Sequence, residues 1–286
     1  MSSVTYFTYK GILFPTVEYA AEDLAYLENE FQVLDDDTIT LSYPKSGTHW
    51  MLEILGLIQH NGDPTWVRSS PVVERSPWIE IVPGLKTALK YPPPRLLACH
   101  LPVQLFPKSF LQSKAKVIYV IRNPKDVLIS LFYFTRIIKI WKESGTLEEY
   151  LQTFFSGNLP YGSWFDHVKG WMALKDRPNF FFITYEEMHQ DLRGCVEKVC
   201  HFLGKELNKQ QIDSVVENAS FQKMRENKMC NGSLLPHHIL DKKKGQLLRK
   251  GICEDWKNHL TPKQEELFDR VYQEKMRDMS VAFPWD

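Results

Sequence analysis

The sequence has no excess of charge of either sign: 35 Lys and Arg residues are balanced by 35 Asp and Glu. A chain without a basic field does not bind nucleic acid by bulk electrostatics, so an anionic ligand has to be held by a few locally placed cations. No apolar run is long enough to cross a bilayer, and the first twenty residues, MSSVTYFTYKGILFPTVEYA, lack the basic-then-apolar pattern of a secretory leader. The expectation is a soluble protein without membrane insertion. Cysteine is sparse, and Cys99, Cys195, Cys200, Cys230 and Cys253 form an odd set with no CxxC pair. That pattern suits a reducing, cytosolic (cytoplasmic) compartment better than a disulfide framework. The adjacent His237 and His238 cannot both face one ion from a regular element, and no metal is expected. With no repeat, low-complexity tract or Gly/Ser linker to mark a boundary, the 286 residues read as one domain over 1–286.

What is present is an alternation. Short apolar runs rich in β-branched and aromatic residues occur at 38–42, 95–99, 116–121 and 179–184, with amphipathic segments at 48–59, 124–138, 191–203 and 262–276. Strands apolar throughout, alternating with helices, predict an α/β fold with a central parallel sheet flanked by helices. Ligands of such sheets sit at the carboxyl ends of the strands.

Two of those ends carry cations. LSYPKSGTHW, residues 41–50, turns from a strand into a helix through Lys45, Ser46, Gly47 and Thr48, and bare helix N–H groups at such a turn bind anions. It is P-loop-like without the GxxxxGK[ST] spacing of a nucleotide-triphosphatase loop. In VIYVIRNPKDVLIS, Arg122 leaves a strand just before Pro124 opens a helix, with Ser130 two turns on. LLRKGICEDW brings Arg249, Lys250 and Gly251 together after a lysine-rich run. Each segment also has a plainer reading: a solvated turn lysine, an Arg122–Asp126 pair, a charged surface. Among nine histidines, His100 in LLACHLP stands at a strand end, and an imidazole titrating near working pH suits a general base.

YPKSGTHW, RNPKDVLIS and RKGICEDWKNHLT resemble the phosphosulfate loop, the 3′-phosphate segment and the C-terminal signature of the cytosolic sulfotransferases. RSPWIE, HLPVQLFPKSF, YGSWFDHVKGW, FQKMRENKM and the terminal FPWD resemble the hydroxysteroid branch, which acts on steroid, sterol or bile acid alcohols. The resemblance runs from about Phe14 to Asp286 and keeps the family's motif order. It implies 3′-phosphoadenosine 5′-phosphosulfate (PAPS) as sulfuryl donor, a hydrophobic polycyclic alcohol as acceptor, and a sulfate ester and adenosine 3′,5′-bisphosphate (PAP) as products. Lys45, Ser46, Gly47, Thr48, His49 and Trp50 would then hold the phosphosulfate, and Arg122, Ser130, Arg249, Lys250 and Gly251 the 3′-phosphate. Trp50 would stack on adenine, framed by Tyr185, Ser220, Phe221 and Met224. His100 would be the base, Lys45 would act on the leaving 5′-phosphate, and Ser130 would restrain Lys45 until an acceptor is bound.

The same resemblance lines the acceptor pocket with Phe14, Pro15, Trp78, His100, Phe132, Tyr133 and Phe134. Val73, Thr135 and Gly232 stand where steroid-sulfating relatives tend to have large aromatics, which predicts a wider cavity. Ala98 stands where the phenol branch tends to have lysine, which favours alcohols. His49 stands where relatives usually have Asn or Thr, and its imidazole either replaces that neutral donor beside the sulfonate or competes with His100 as base. Residues 257–266, with Lys257, Thr261 and Glu266, resemble the segment through which these enzymes form homodimers, and Pro262 predicts a weak one. Sulfation of other hydrophobic alcohols or phenols, an ATP-dependent phosphotransferase, and a non-catalytic nucleotide-binding protein remain as alternatives.

Overall fold

The hairpin nearest the N-terminus is made by a local signal, Lys10-Gly11, whose positive φ angles of 48° and 82° give the tight turn that right-twisted strands need. It joins β1 (Tyr6–Tyr9) to β2 (Ile12–Pro15) in antiparallel register. The structure, a computed structural model, describes residues 4–286. β3 (Thr38–Ser42), β4 (Leu96–Cys99), β5 (Lys116–Ile121) and β6 (Phe180–Thr184) form a wholly parallel sheet in the order β4-β3-β5-β6. The expected parallel α/β architecture is therefore the observed one. Strand residues are buried on both faces because helices cover both.

The helices Thr48–Gln59 and Pro262–Met276 have the bounds their periodicity predicts, and Leu192–Leu203 begins one residue late because Asp191 caps it. The helix expected over 124–138 ends at Phe134, where the chain turns under Ser144 and Thr135. Two further amphipathic helices, Leu147–Ser156 and Trp164–Met172, pack their aromatic faces into the main core.

The sheet is pinned at its buried amino end by one ion pair. Asp37 precedes β3 and Arg95 precedes β4; the guanidinium donates to both carboxylate oxygens, at 2.8 and 2.6 Å, and also to the carbonyls of Gln32 and Ala88. β4 and β5 leave β3 on opposite sides, so a crevice opens at the carboxyl end of β3. Arg95→Met would strand Asp37 as an uncompensated buried charge and should cost about 3–5 kcal/mol in urea unfolding. An added Asp37→Asn should restore part of that loss. A single-variant loss below about 1 kcal/mol would show that the pair does not hold the sheet.

Candidate active site

All four parallel strands end at the same crevice, and each delivers a different side chain. β3 runs into the turn carrying Lys45 and Gly47, β4 into His100, β5 into Arg122 and β6 into Tyr185. The β3 turn uses two left-handed residues, Lys45 (φ 70°) and Gly47 (φ 108°), so that the helix Thr48–Gln59 points its N-terminal amides back at the cleft. Gly47 is also sterically required: a Cβ there would stand 2.8 Å from the Tyr185 ring. Asn123 caps the helix Pro124–Phe134 by accepting the Lys125 N–H at 2.9 Å, fixing Arg122 at the helix mouth.

Arg122 and Lys45 are held by carbonyls, not by carboxylates. Arg122 donates to the Lys45 carbonyl at 3.1 Å and the Ile252 carbonyl at 3.0 Å, with its guanidinium 4.2 Å from the centre of the Tyr185 ring. Asp126, its nearest expected partner, instead accepts the backbone amides of Glu254 and Trp256 at 2.7 and 3.0 Å. Lys45 Nζ donates to the Leu247 carbonyl at 3.3 Å and lies over Phe134. Its hydrogen bond therefore goes to Leu247, while Ser130 lines the same cavity. Burial, and then the charges of Arg122 and Arg249, push the Lys45 ammonium down to about 7.

Arg249 and Lys250 share the buried carboxylate of Asp255, at 2.6 and 2.5 Å. Burial alone would raise that carboxyl, but bonds from Lys250, Arg249 and Asn258 outweigh it and hold it well below the usual range. Gly251 permits the close passage of this segment, because a Cβ would fall 2.1 Å from Phe221. The Nε atoms of Arg122 and Arg249, Ser46 Oγ and Trp50 Nε1 are buried with no hydrogen-bond partner. Polar groups left unpaired in this way mark a place for a polar ligand. These donors fit a nucleotide bearing two anionic groups.

His100 is fixed from three directions. Its Nδ1 donates to the Ser42 carbonyl at 2.7 Å, its backbone N–H donates to Glu80 Oε1 at 2.9 Å, and its carbonyl accepts from His167 Nε2 at 3.0 Å. Burial pushes its imidazole down to about 4, opposed by the Ser42 bond and reinforced by Lys45. The ring is neutral at working pH, with Nε2 carrying the lone pair. Burial, Lys45 and His100 together push His49 down to about 3, so the second imidazole at the site is neutral as well. Burial also raises Glu80 to about 7. His167, which the sequence gives no reason to separate from surface histidines, is buried between the Tyr119 hydroxyl and the His100 carbonyl.

These groups open onto a cavity of about 440 Å³. Lys45, Gly47, Thr48, His49, Trp50, Arg122, Ser130, Tyr185, Phe221, Met224, Arg249, Lys250 and Gly251 all line it. Ser46 and Ser220 stand just behind its wall, at the turn and at the start of the helix Phe221–Glu226. The apolar half corrects the sequence reading. Trp78 and Phe134 line it as expected, but Phe132 and Tyr133 do not. Helical geometry is the reason: Ser130 and Phe134 share one face, whereas Phe132 packs on Tyr150, and Tyr133 turns to His259 and Arg249. Phe14 is fully buried behind Tyr19 and Tyr161, and Pro15 ends β2 outside the cavity.

Of the positions expected to widen the pocket, only Val73 lines it. The Thr135 hydroxyl bonds to Phe132 and Ser144, and Gly232 packs on Leu247. Other apolar wall residues include Tyr19, Ile81, Ile138, Ile140, Trp141, Tyr161, Leu235 and Ile239. Most of these come from irregular segments without periodicity to mark them. Among the described residues, no group of three or more His, Cys, Asp or Glu is placed to hold a metal ion.

Comparison with known proteins accords with this geometry. Residues 35–280 match the family model described as the sulfotransferase domain. The chain is 50% identical over 281 residues to Mus musculus sulfotransferase 2B1, covering 98% of this chain and 83% of that protein. It is 49% identical over 279 residues to the 3-beta-hydroxysteroid sulfotransferase of Cavia porcellus, covering 97% of each. The crystal structure of mouse sulfotransferase SULT7A1 complexed with PAP superposes with a TM-score of 0.80 at 32% identity, covering 96% of this chain and 95% of that one.

Proposed function

Because the chain belongs to the sulfotransferase family, we propose that it transfers a sulfuryl group from PAPS to the hydroxyl of an apolar polycyclic alcohol of the steroid, sterol or bile acid type. One observation carries the reading: a neutral, oriented imidazole, His100, and the cation cluster of Lys45, Arg122 and Arg249 face one cavity whose other half is apolar. The bound donor supplies an activated sulfuryl group with a nucleotide 5′-phosphate as leaving group. The alcohol oxygen forms the new bond to sulfur, the bond from sulfur to the phosphate oxygen breaks, and the hydroxyl proton goes to His100 Nε2.

The chain's own part is positioning and charge. The Ser42 carbonyl keeps the proton on Nδ1 and so keeps Nε2 basic. Lys45 sets an ammonium against the departing phosphate, with Ser130 on the same wall. Arg122, Arg249, Lys250 and the Gly251 backbone receive the 3′-phosphate. Trp50 and Tyr185, edge to face at 5.2 Å, frame the adenine with Phe221 and Met224. The hydroxysteroid relative supports the acceptor class, as does the wall of Trp78, Ile81, Phe134, Ile138, Trp141 and Ile239. A cytosolic location agrees with five free cysteines, and no helix among the described residues is long and apolar enough to cross a membrane.

His100→Ala should lower kcat for sulfate transfer to a 3-hydroxysteroid by at least about a hundredfold while PAP affinity changes little. If His49→Asn is more damaging than His100→Ala, the base has been misassigned.

The homodimer belongs to the same reading. Thr261 caps the helix Pro262–Met276 through a reciprocal bond with Gln264, and Pro262 opens it. Proline has no N–H to offer across a two-fold axis. We expect a dimer that separates at micromolar concentration and is tightened by Pro262→Val. Sedimentation velocity over a dilution series checks this; a dimer persisting at nanomolar concentration and indifferent to Pro262→Val contradicts it.

A further inference from the structure

Both ring nitrogens of His100 are occupied by the protein's own groups. Nδ1 donates to the Ser42 carbonyl at 2.7 Å, which leaves Nε2 as the lone-pair nitrogen, and Nε2 accepts the indole N–H of Trp78 at 3.0 Å. The lone pair that an alcohol needs is therefore taken. The Trp78 backbone is tied to the end of β4: the Ala98 N–H donates to the Pro77 carbonyl and the Ile79 N–H to the Ala98 carbonyl, both at 3.0 Å. Release of the bond would therefore fall to the indole side chain. It forms part of the cavity wall, with the centre of the His49 ring 5.2 Å from its own.

We propose that Trp78 is a cap on the catalytic base, competing with the acceptor hydroxyl for His100 Nε2 and handing its N–H to the acceptor oxygen when the alcohol arrives. The proposal rests on the reading of His100 as the base. A hydroxyl has one proton and two lone pairs. It can give the proton to Nε2, take the indole N–H on one lone pair and keep the other for attack on sulfur. An apolar molecule without a hydroxyl would leave both the indole N–H and Nε2 buried and unpaired, at a cost that a hydroxyl avoids. The cap is thus a positioning contact that favours alcohols over apolar molecules of the same shape.

A bond donated to the lone pair stabilises the neutral imidazole, so removing it should raise the pKa of His100. The titratable groups facing this ring are Lys45 and His49 from the β3 turn and its helix, Glu80 on the backbone N–H, Tyr161 with its ring 5.4 Å away, His167 on the carbonyl, and the neighbouring Cys99. All of them remain in a Trp78 variant. Burial is the largest influence on the ring, and Trp78→Phe keeps an aromatic cover while Trp78→Leu opens it. A rise shared equally by both variants therefore reports the lost bond, and a rise in Trp78→Leu alone reports only lost burial.

The test is an NMR titration of the His100 imidazole in the free enzyme, comparing wild type with Trp78→Phe and Trp78→Leu. Both variants should titrate about one pH unit higher. The difference should vanish once PAP and a 3β-hydroxysteroid are bound, because the alcohol has displaced the cap. The acid limb of kcat/KM, which reports the free enzyme, should move up in the variants while that of kcat stays put. Identical His100 titrations in the free proteins would overturn the cap. A shifted imidazole with an unmoved kcat/KM limb would leave the cap standing and refute His100 as the base.

Discussion

Cations that repel one another, held together and buried at one cleft, are the constraint around which the site is built. Lys45, Arg122 and Arg249 are near enough for the two arginines to help bring the Lys45 ammonium down to about 7. A neutral protein supplies no general field to excuse this, and a chain selected for stability alone would separate the charges. The fold tolerates them because it replaces lost water with dipoles. The carbonyls of Lys45, Leu247 and Ile252 each take one cationic N–H, and the ring faces of Phe134, Tyr133 and Tyr185 take the cations' flanks. Asp255 is the sole carboxylate that bonds Arg249 or Lys250 among the described residues, and it leaves Arg249 Nε free. Under the proposed function, an anion in the cleft would complete the arrangement.

That constraint explains why a parallel sheet is the scaffold. Four strands pointing one way bring four turns to one edge, and β3, with neighbours on both sides, places its turn against the β5 exit. The Arg122 bond to the Lys45 carbonyl is the direct expression of that neighbourhood. Arg249 and Lys250 lie far along the chain and reach the edge through an irregular segment. They are oriented by Asp255, while Asp126 ties the segment's far end to the helix Pro124–Phe134. Lys45, His100 and Arg122 are thus placed by the ends of one sheet, and Arg249 and Lys250 are brought to them by Asp255.

The sheet was legible in the sequence because burial on both faces forces continuous apolar runs, and 38–42 and 116–121 are strands at the bounds read there. Lys45, His100 and Arg122 were legible because strand ends are where such sheets do chemistry. The apolar wall was not. Phe132, Tyr133 and Phe134 are equivalent in composition, and only the rotation per residue of their helix separates Phe134, over Lys45, from Phe132, against Tyr150. Phe14 belongs to the core because Tyr19 and Tyr161, joined hydroxyl to hydroxyl at 2.6 Å, stand between it and the cleft. Contacts between residues so distant in sequence leave no local pattern. The same holds for the Trp78–His100 bond, since neither segment alone indicates that an indole N–H meets an imidazole.

A cation cluster that takes up an anion has a thermodynamic signature in protons. An anion placed beside Lys45 raises its pKa from about 7, so at pH 7.5 to 8 binding must draw a proton from solution, and affinity must fall as pH rises through this range. Calorimetric titration of PAP in buffers of different ionisation enthalpy measures that proton directly. Net uptake should approach about one proton in the wild type, with most of it lost in Lys45→Met. Binding without proton uptake, or uptake unchanged by Lys45→Met, would contradict it.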